Sequence, residues 1–227
     1  LPSEGTITAI TSQQRDPERV NVFLDGEYAL ALTREAVLAQ GLRVGQTLSV
    51  DEVGALRAID AVAKATEAAI RLLTVRPRAE GELRASLRRK EYDAPTIDAA
   101  MARLHGWGYL DDADFARSWV ANRDAHRPRG SRLLAQELAS KGVDRETIAG
   151  ALDEAGHDDR DAAIAAARKQ ARKLAALEPA LARRRLAGHL ARRGFGWPAI
   201  SAALAATLGA ADENDNLEDA AEDDEQD

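Results

Sequence analysis

The sequence predicts a mainly α protein: an elongated tandem array of three three-helix repeats, preceded by a small N-terminal module containing a β-hairpin. Three observations carry this. One seven-position pattern occurs three times without a gap. From about residue 51 onward the chain is rich in Ala, Leu, Arg and Glu, which favour helix. Before that point, an Asp-Gly pair separates two alternating apolar runs, the strongest short-range hairpin signal.

The elements follow in order. Thr6–Ile10 alternates weakly, as a strand does. Val20–Leu24, Asp25-Gly26 and Glu27–Leu32 read as a hairpin, with Val22 and Leu24 on one face and Tyr28, Leu30 and Leu32 on one face of the partner strand. Thr33 can cap a short helix over 33–39, and Gly41 follows as a stop. Leu42–Leu48 reads as a further strand. We divide the chain into 1–63, the hairpin module and a linking helix; 64–112, 113–159 and 160–211, the three repeats; and 212–227, an acidic tail expected to be disordered.

The repeated pattern is Leu, Leu four residues on, a basic residue, a turn position, a large apolar residue, then Ile and Met or Leu four residues apart. Copy one is Leu83, Leu87, Lys90, Glu91, Tyr92, Ile97, Met101. Copy two is Leu134, Leu138, Lys141, Gly142, Val143, Ile148, Leu152. Copy three is Leu186, Leu190, Arg193, Gly194, Phe195, Ile200, Leu204. The copies are offset by 51 and then 52 residues. The paired apolar positions are the buried stripes of two successive helices. Gly142 and Gly194 sit where a helix end needs a left-handed residue. Glu91 is the departure, predicting a different turn or a local strain below roughly 2 kcal/mol. Asp93, Asp144 and Gly196 share the N-cap position of the second helix, and Pro95 and Pro198 fall in its first turn. Each repeat has room for one more helix: Ala65–Leu73, then Asp114–Arg123 with Phe115, Trp119 and Val120 inward and Asp111 or Asp112 as cap, then Ala162–Leu174. Trp107, Tyr109 and Leu110 read as a hydrophobic corner between repeats.

Composition excludes several chemistries. The chain has no cysteine, which excludes disulfides, thiolate metal sites and a Cys nucleophile. His105, His126, His157 and His189 lack metal-ligand spacing and read as surface or half-buried residues. The serines have no elbow motif, and Gly106-Trp107-Gly108 is not a phosphate loop. No catalytic residue, metal site or cofactor is expected. No apolar run is long enough to span a membrane. The expected setting is cytoplasmic, with no membrane partner and a monomeric state.

The net charge of -7 is strongly segregated. Residues 1–63 sum to -4, residues 64–211 to +7 and residues 212–227 to -10; within the body, residues 160–211 alone hold 10 basic and 2 acidic residues. Whole-chain charge therefore describes no real surface. The candidate contacts to a polyanionic or acidic partner are Arg88, Arg89 and Lys90; Arg127, Arg129 and Arg132; Lys141; Arg183, Arg184 and Arg185; and Arg192 and Arg193. Complementing helix C-terminal dipoles is a competing explanation for those that end helices. That explanation accounts poorly for the excess in 160–211.

Several segments resemble the RecX family, regulatory proteins that restrain the bacterial recombinase RecA. They are Glu82-Leu83 with Leu87; Leu104 through Ala116, including Gly106-Trp107-Gly108-Tyr109-Leu110-Asp111-Asp112; Trp119 through Arg123; Arg129-Gly130; and Glu137 through Val143. The hairpin ending Phe23-Leu24-Asp25-Gly26-Glu27-Tyr28 is similar to the family's opening segment. The resemblance covers roughly 5–210 and is strongest over 80–150. It implies elongated three-helix repeats without catalytic activity. It also implies binding in the groove of the RecA–single-stranded DNA filament, opposing filament growth, strand exchange, ATP hydrolysis and coprotease function. That makes the expected function a negative regulator of homologous recombination and the SOS response, with possible direct contact to single- or double-stranded DNA. The alternative is a helix-turn-helix DNA-binding protein or repressor acting without RecA.

Overall fold

The computed structural model describes residues 1–209. The acidic run 212–227 and the last two residues expected in the third repeat lie outside the described residues. The chain forms two compact units, Leu1–Asp111 and Asp112 onward.

In the first unit, β1 (Gly5–Ser12), β2 (Arg19–Leu24), β3 (Glu27–Thr33) and β4 (Thr47–Leu48) form one antiparallel sheet of order β3-β2-β1-β4. Asp25 and Gly26 have φ of 48° and 88°, the double positive φ that a type I′ turn demands. Val22 and Leu24 are fully buried, as are Leu30 and Leu32 within a few per cent. Tyr28 departs from its expected face. The register slips between Val22 and Phe23, so Tyr28 pairs with Phe23, meets its ring edge-on and stays 42% exposed, while Ala29 enters the core. A bulge inserts one residue and inverts the alternation beyond it. The segment 42–48 yields only the two residues of β4.

Thr33 caps α1 (Arg34–Ala39), accepting the Ala36 N–H at 3.1 Å. A capping box of Ser49 and Glu52 then opens α2 (Val50–Leu73). This helix runs unbroken through positions 63 and 64, so the linking helix and the first helix of repeat one are a single element. Its N-terminal half covers the sheet through Val53 and Leu56. A buried ion pair between Arg19 of β2 and Asp60 joins the two, with Lys64 Nζ 2.7 Å from the same carboxylate. Such a pair adds little net stability, but removing one partner strands the other charge.

The first repeat is completed by α3 (Glu80–Arg88) and α4 (Ala94–Gly106). The second unit holds α5 (Asp112–His126), α6 (Ser131–Ser140) and α7 (Arg145–Glu154), then α8 (Asp159–Leu174), α9 (Pro179–Ala191) and α10 (Trp197–Leu208). The repeated sequence pattern is a helix-ending device. In each copy the large apolar residue donates its N–H five residues back to the second Leu: Tyr92 to Leu87 at 3.3 Å, Val143 to Leu138 at 3.2 Å and Phe195 to Leu190 at 3.4 Å. The turn residue bonds three back, Glu91 to Arg88, Gly142 to Ala139 and Gly194 to Ala191, each at 2.9 Å. This is the Schellman arrangement, whose apolar partners pack across the turn. Glu91 adopts the same left-handed turn, φ 64° against 88° for Gly142 and 84° for Gly194. Copy one therefore keeps the turn and bears the strain. Asp93 and Asp144 then cap the following helices through the N–H groups of Thr96 and Thr147, both at 2.9 Å.

Leu83, Leu87, Ile97, Met101, Leu134, Leu138, Ile148, Leu186, Leu190, Ile200 and Leu204 are each 5% exposed or less. Leu152 is half-buried, and Ala151 beside it takes the interior position. Repeat three is packed largely on alanine: Ala162, Ala163, Ala166 and Ala167 of α8 meet Ala199 and Ala203 of α10, with Phe195 closing the cluster. Small side chains let helix axes approach closely, and the few large ones carry most of the burial energy, roughly 1.5–3 kcal/mol each. The expected aromatic corner needs correction. Leu110 is buried, but Trp107 and Tyr109 are each 55% exposed and meet edge-on at 6.3 Å. Trp119 is half-buried, stacked on Phe115.

Candidate functional site

The structure distributes the basic candidates among several settings. At the end of α3, Arg88, Arg89 and Lys90 are exposed, and Arg89 donates to Ser86 Oγ at 3.1 Å. They sit beside the free carbonyls of a helix C-terminus, which is reason enough for cations there. Arg183 donates to the Gly209 carbonyl at 2.8 Å and so ties α9 to the end of α10, while Arg184 and Arg185 are exposed. Arg132 is exposed at the second position of α6. The positive end of a helix disfavours a cation, so the dipole offers no reason for Arg132.

Two candidates are drawn into an internal cluster. Glu137 of α6 accepts from Arg123 Nε at 2.9 Å and from Trp119 Nε1 at 2.8 Å, and its other oxygen pairs with Arg129. Lys141 and Arg123 lie 4.3 and 4.4 Å from the centroid of the Trp119 ring. A cation over an aromatic face is attracted by the ring's quadrupole. Lys141 thus helps fix α5 against α6, and Arg129 ties the loop before α6 to that helix.

Four candidates converge across the junction of the second and third repeats. The loop before α6 and the end of α9 meet backbone to backbone: the Gly130 N–H donates to the Arg193 carbonyl at 2.9 Å. A Cβ on Gly130 would lie 2.2 Å from the Gly194 carbonyl oxygen, and one on Gly194 would lie 2.5 Å from Leu133 Cβ. Only glycine permits this approach. It brings Arg127 and Arg129, which precede one glycine, beside Arg192 and Arg193, which precede the other. With Leu133 they line a pocket of about 300 Å³. Arg193 Nη1 donates to the Pro128 carbonyl at 3.0 Å. Burial, then the charges of Arg123, Arg193 and Arg127, push Arg129 below the ordinary guanidinium value. Burial, then Arg193, Arg192 and Lys173, push His189 of α9 down likewise. Four guanidinium groups thus share one small pocket at this junction.

Domain models of one family match nearly the whole described chain. Residues 5–49 match the regulatory protein RecX N-terminal domain, and residues 65–104, 111–152 and 158–204 match the first, second and third RecX three-helix domains. A regulatory protein RecX of Bacillus licheniformis is 33% identical over 202 residues, covering 88% of this chain and 77% of the relative. The chain belongs to the RecX family. Another RecX, from Bacillus subtilis, is 31% identical over 199 residues, covering 87% of this chain and 75% of the relative. Among solved structures, a crystal structure of regulatory protein RecX superposes with a TM-score of 0.71 at 23% identity, covering 86% of this chain and 96% of that one. RecX from Lactobacillus salivarius gives 0.56 at 20% identity, covering 64% and 95%. These structures show the shared fold. RecX is a family of regulatory proteins and not a known enzyme family. No helix among the described residues is long and apolar enough to cross a membrane.

Sequence reasoning missed several groups that hold the helices of the second unit together. His157 is more than a half-buried residue: its imidazole is 1% exposed and lies 3.0 Å from Asp124 Oδ2 and 3.1 Å from Asp159 Oδ1. Asp159 also accepts from the Ser131 N–H at 2.6 Å, satisfying the start of α6. Glu137 and Arg123 lie in segments that carry the family resemblance, but their pairing was not legible, since Arg123 and Trp119 lie 14 and 18 residues from Glu137 in sequence. The one legible trace was Arg-Gly recurring at Arg129-Gly130 and Arg193-Gly194.

Proposed function

We propose that this chain is a negative regulator of homologous recombination and of the SOS response, acting by binding a RecA–single-stranded DNA filament. Membership of the RecX family carries the reading. Bound there, it opposes filament growth, ATP hydrolysis, strand exchange and coprotease activity by contact, without chemistry of its own. The basic residues of the helical repeats supply the attraction: a nucleoprotein filament presents phosphate and acidic surface, and cations at helix ends and in the loop before α6 complement both. The partner is the filament rather than a membrane, and the setting is cytoplasmic.

The competing reading is a sequence-reading helix-turn-helix protein. The third helix of each repeat would then enter a groove by its N-terminal end. Those ends are Ala94-Pro95-Thr96, Arg145-Glu146-Thr147 and Trp197-Pro198-Ala199. They present one Arg among them and no Asn or Gln, which disfavours bidentate readout of bases. The deciding experiment is RecA ATPase on single-stranded DNA with this protein titrated in. Inhibition at or below one protein per recombinase is expected. Unchanged hydrolysis at stoichiometric amounts overturns the proposal.

A further inference from the structure

We infer that the junction of the second and third repeats is a phosphate-binding site, taking one phosphate group of a nucleic-acid backbone on Arg127, Arg129, Arg192 and Arg193. This goes beyond the regulatory reading by naming a site and its ligand chemistry. It depends on that reading only in supposing that the partner carries phosphate.

The four guanidinium groups come from segments 65 residues apart, and the Gly130–Gly194 backbone contact holds them together. Their charge is poorly compensated. Arg129 has an acidic partner, Glu137, but that carboxylate also serves Arg123 and Trp119. Among the described residues, the Arg193 side chain engages only the neutral Pro128 carbonyl. Arg127 and Arg192 have no side-chain hydrogen bond or ion pair among the described residues. Guanidinium groups do not neutralise by losing a proton, so their repulsion persists until an anion arrives. Burial first, and then the neighbouring charges of Arg123, Arg193 and Arg127, hold Arg129 below the ordinary guanidinium value.

Helix-end complementarity does not explain the set. It suits Arg192 and Arg193 at the end of α9 and Arg127 just past the end of α5, but it does not suit Arg129, which precedes the positive end of α6, nor does it account for two helix ends being brought together. That helix end is itself satisfied by Asp159, so the guanidinium groups alone make the site. Arginine forks match the oxygens of phosphate two at a time. A volume of about 300 Å³, lined by four arginines and one leucine, admits a phosphate with its water and offers no aromatic surface for a base. Recognition is therefore of backbone, without sequence preference.

The test uses the full chain, a fluorescein-labelled single-stranded oligonucleotide at low salt, and no recombinase. The double variant Arg127→Gln/Arg192→Gln removes two cations whose side chains support no packing. Its control is Arg168→Gln/Arg172→Gln, an equal charge loss on the exposed face of α8. Circular dichroism checks that both fold. The expected result is a tenfold or greater loss of affinity in the pocket variant and less than threefold in the control. Equal losses in the two overturn the site in favour of diffuse attraction, and so does absence of oligonucleotide binding by the wild type. A second arm adds inorganic phosphate at constant ionic strength. Competition in the wild type shows that free phosphate fills the same pocket; pocket-dependent oligonucleotide binding without competition shows that the ligand is the strand itself. RecA inhibition that survives loss of the pocket leaves the regulatory reading standing. Pocket-dependent binding without RecA inhibition leaves the site standing.

Discussion

Replacing Glu91 by glycine should stabilise the first repeat. Glu91 is exposed, makes no side-chain hydrogen bond or ion pair among the described residues, and holds φ at 64°. Its N–H bond to the Arg88 carbonyl is backbone and survives the change. An L-residue in the left-handed region carries roughly 1–2 kcal/mol of strain. Glycine removes that strain but loosens the unfolded chain, which costs about 0.4–1 kcal/mol. The net gain is about 0.5–1 kcal/mol. With a urea dependence of about 1–3 kcal/mol per molar, the unfolding midpoint should rise by roughly 0.2–1 M. The reverse change in repeat two, Gly142→Ala, places a Cβ at φ 88° and should lower the midpoint by a similar amount. Urea unfolding followed by circular dichroism measures both. An unchanged or lower midpoint for Glu91→Gly, or a neutral Gly142→Ala, would refute the claim that the three turns are one device under unequal strain.

Gly130→Ala forces a methyl group to 2.2 Å from the Gly194 carbonyl oxygen; neither partner is a flexible side chain, so a loss of about 2–3 kcal/mol is expected in urea unfolding, and a loss under about 0.5 kcal/mol would mean the repeats are not in backbone contact. His157→Leu removes the hydrogen-bond partner of Asp124 and Asp159 from a site where the imidazole is 1% exposed, which should cost about 1–3 kcal/mol; His157→Gln should lose less, and equal tolerance of both would remove the ring from any structural role. Acid should weaken the helix starts. Hydrogen bonds from Thr96 and Thr147, side chain first and backbone second, hold Asp93 and Asp144 below the usual carboxylate range, and the N–H groups of Ala180 and Leu181 do the same for Glu178. Their folded values lie below their unfolded ones, so the stability they contribute is complete above the ordinary carboxylate range and is lost as pH falls through the lowered values. The urea midpoint should therefore decline from about pH 5 downward, and Asp93→Asn should flatten the decline; an identical pH profile in that variant would contradict the capping account.

The local parts of the fold were legible because their causes are local. The Asp25-Gly26 turn, the Thr33 cap, the Asp93 and Asp144 caps and the three helix endings each depend on residues within about five positions. The threefold pattern was readable for the same reason: Leu87 and Tyr92, Leu138 and Val143, and Leu190 and Phe195 satisfy each other across one turn. Tyr28 was misplaced because a bulge at Ala29 in its own strand, set by pairing across the hairpin, shifted its face. Trp107 and Tyr109 were misplaced because large aromatic rings suggest burial, while only the packed surroundings decide it.

The candidate site divides along the same line. Charge segregation identified the basic stretches but not their settings. It could not separate Arg129 and Lys141, which bind Glu137 and Trp119 internally, from Arg127 and Arg192, which have no such partner. Nor could it bring Arg127 beside Arg192. The sequence by itself determined the fold class, the repeats, their turns and the family, because each rests on short-range stereochemistry repeated in three copies. Only the tertiary structure decided where positive charge accumulates without compensation, because that depends on two glycines 64 positions apart that let two backbones touch.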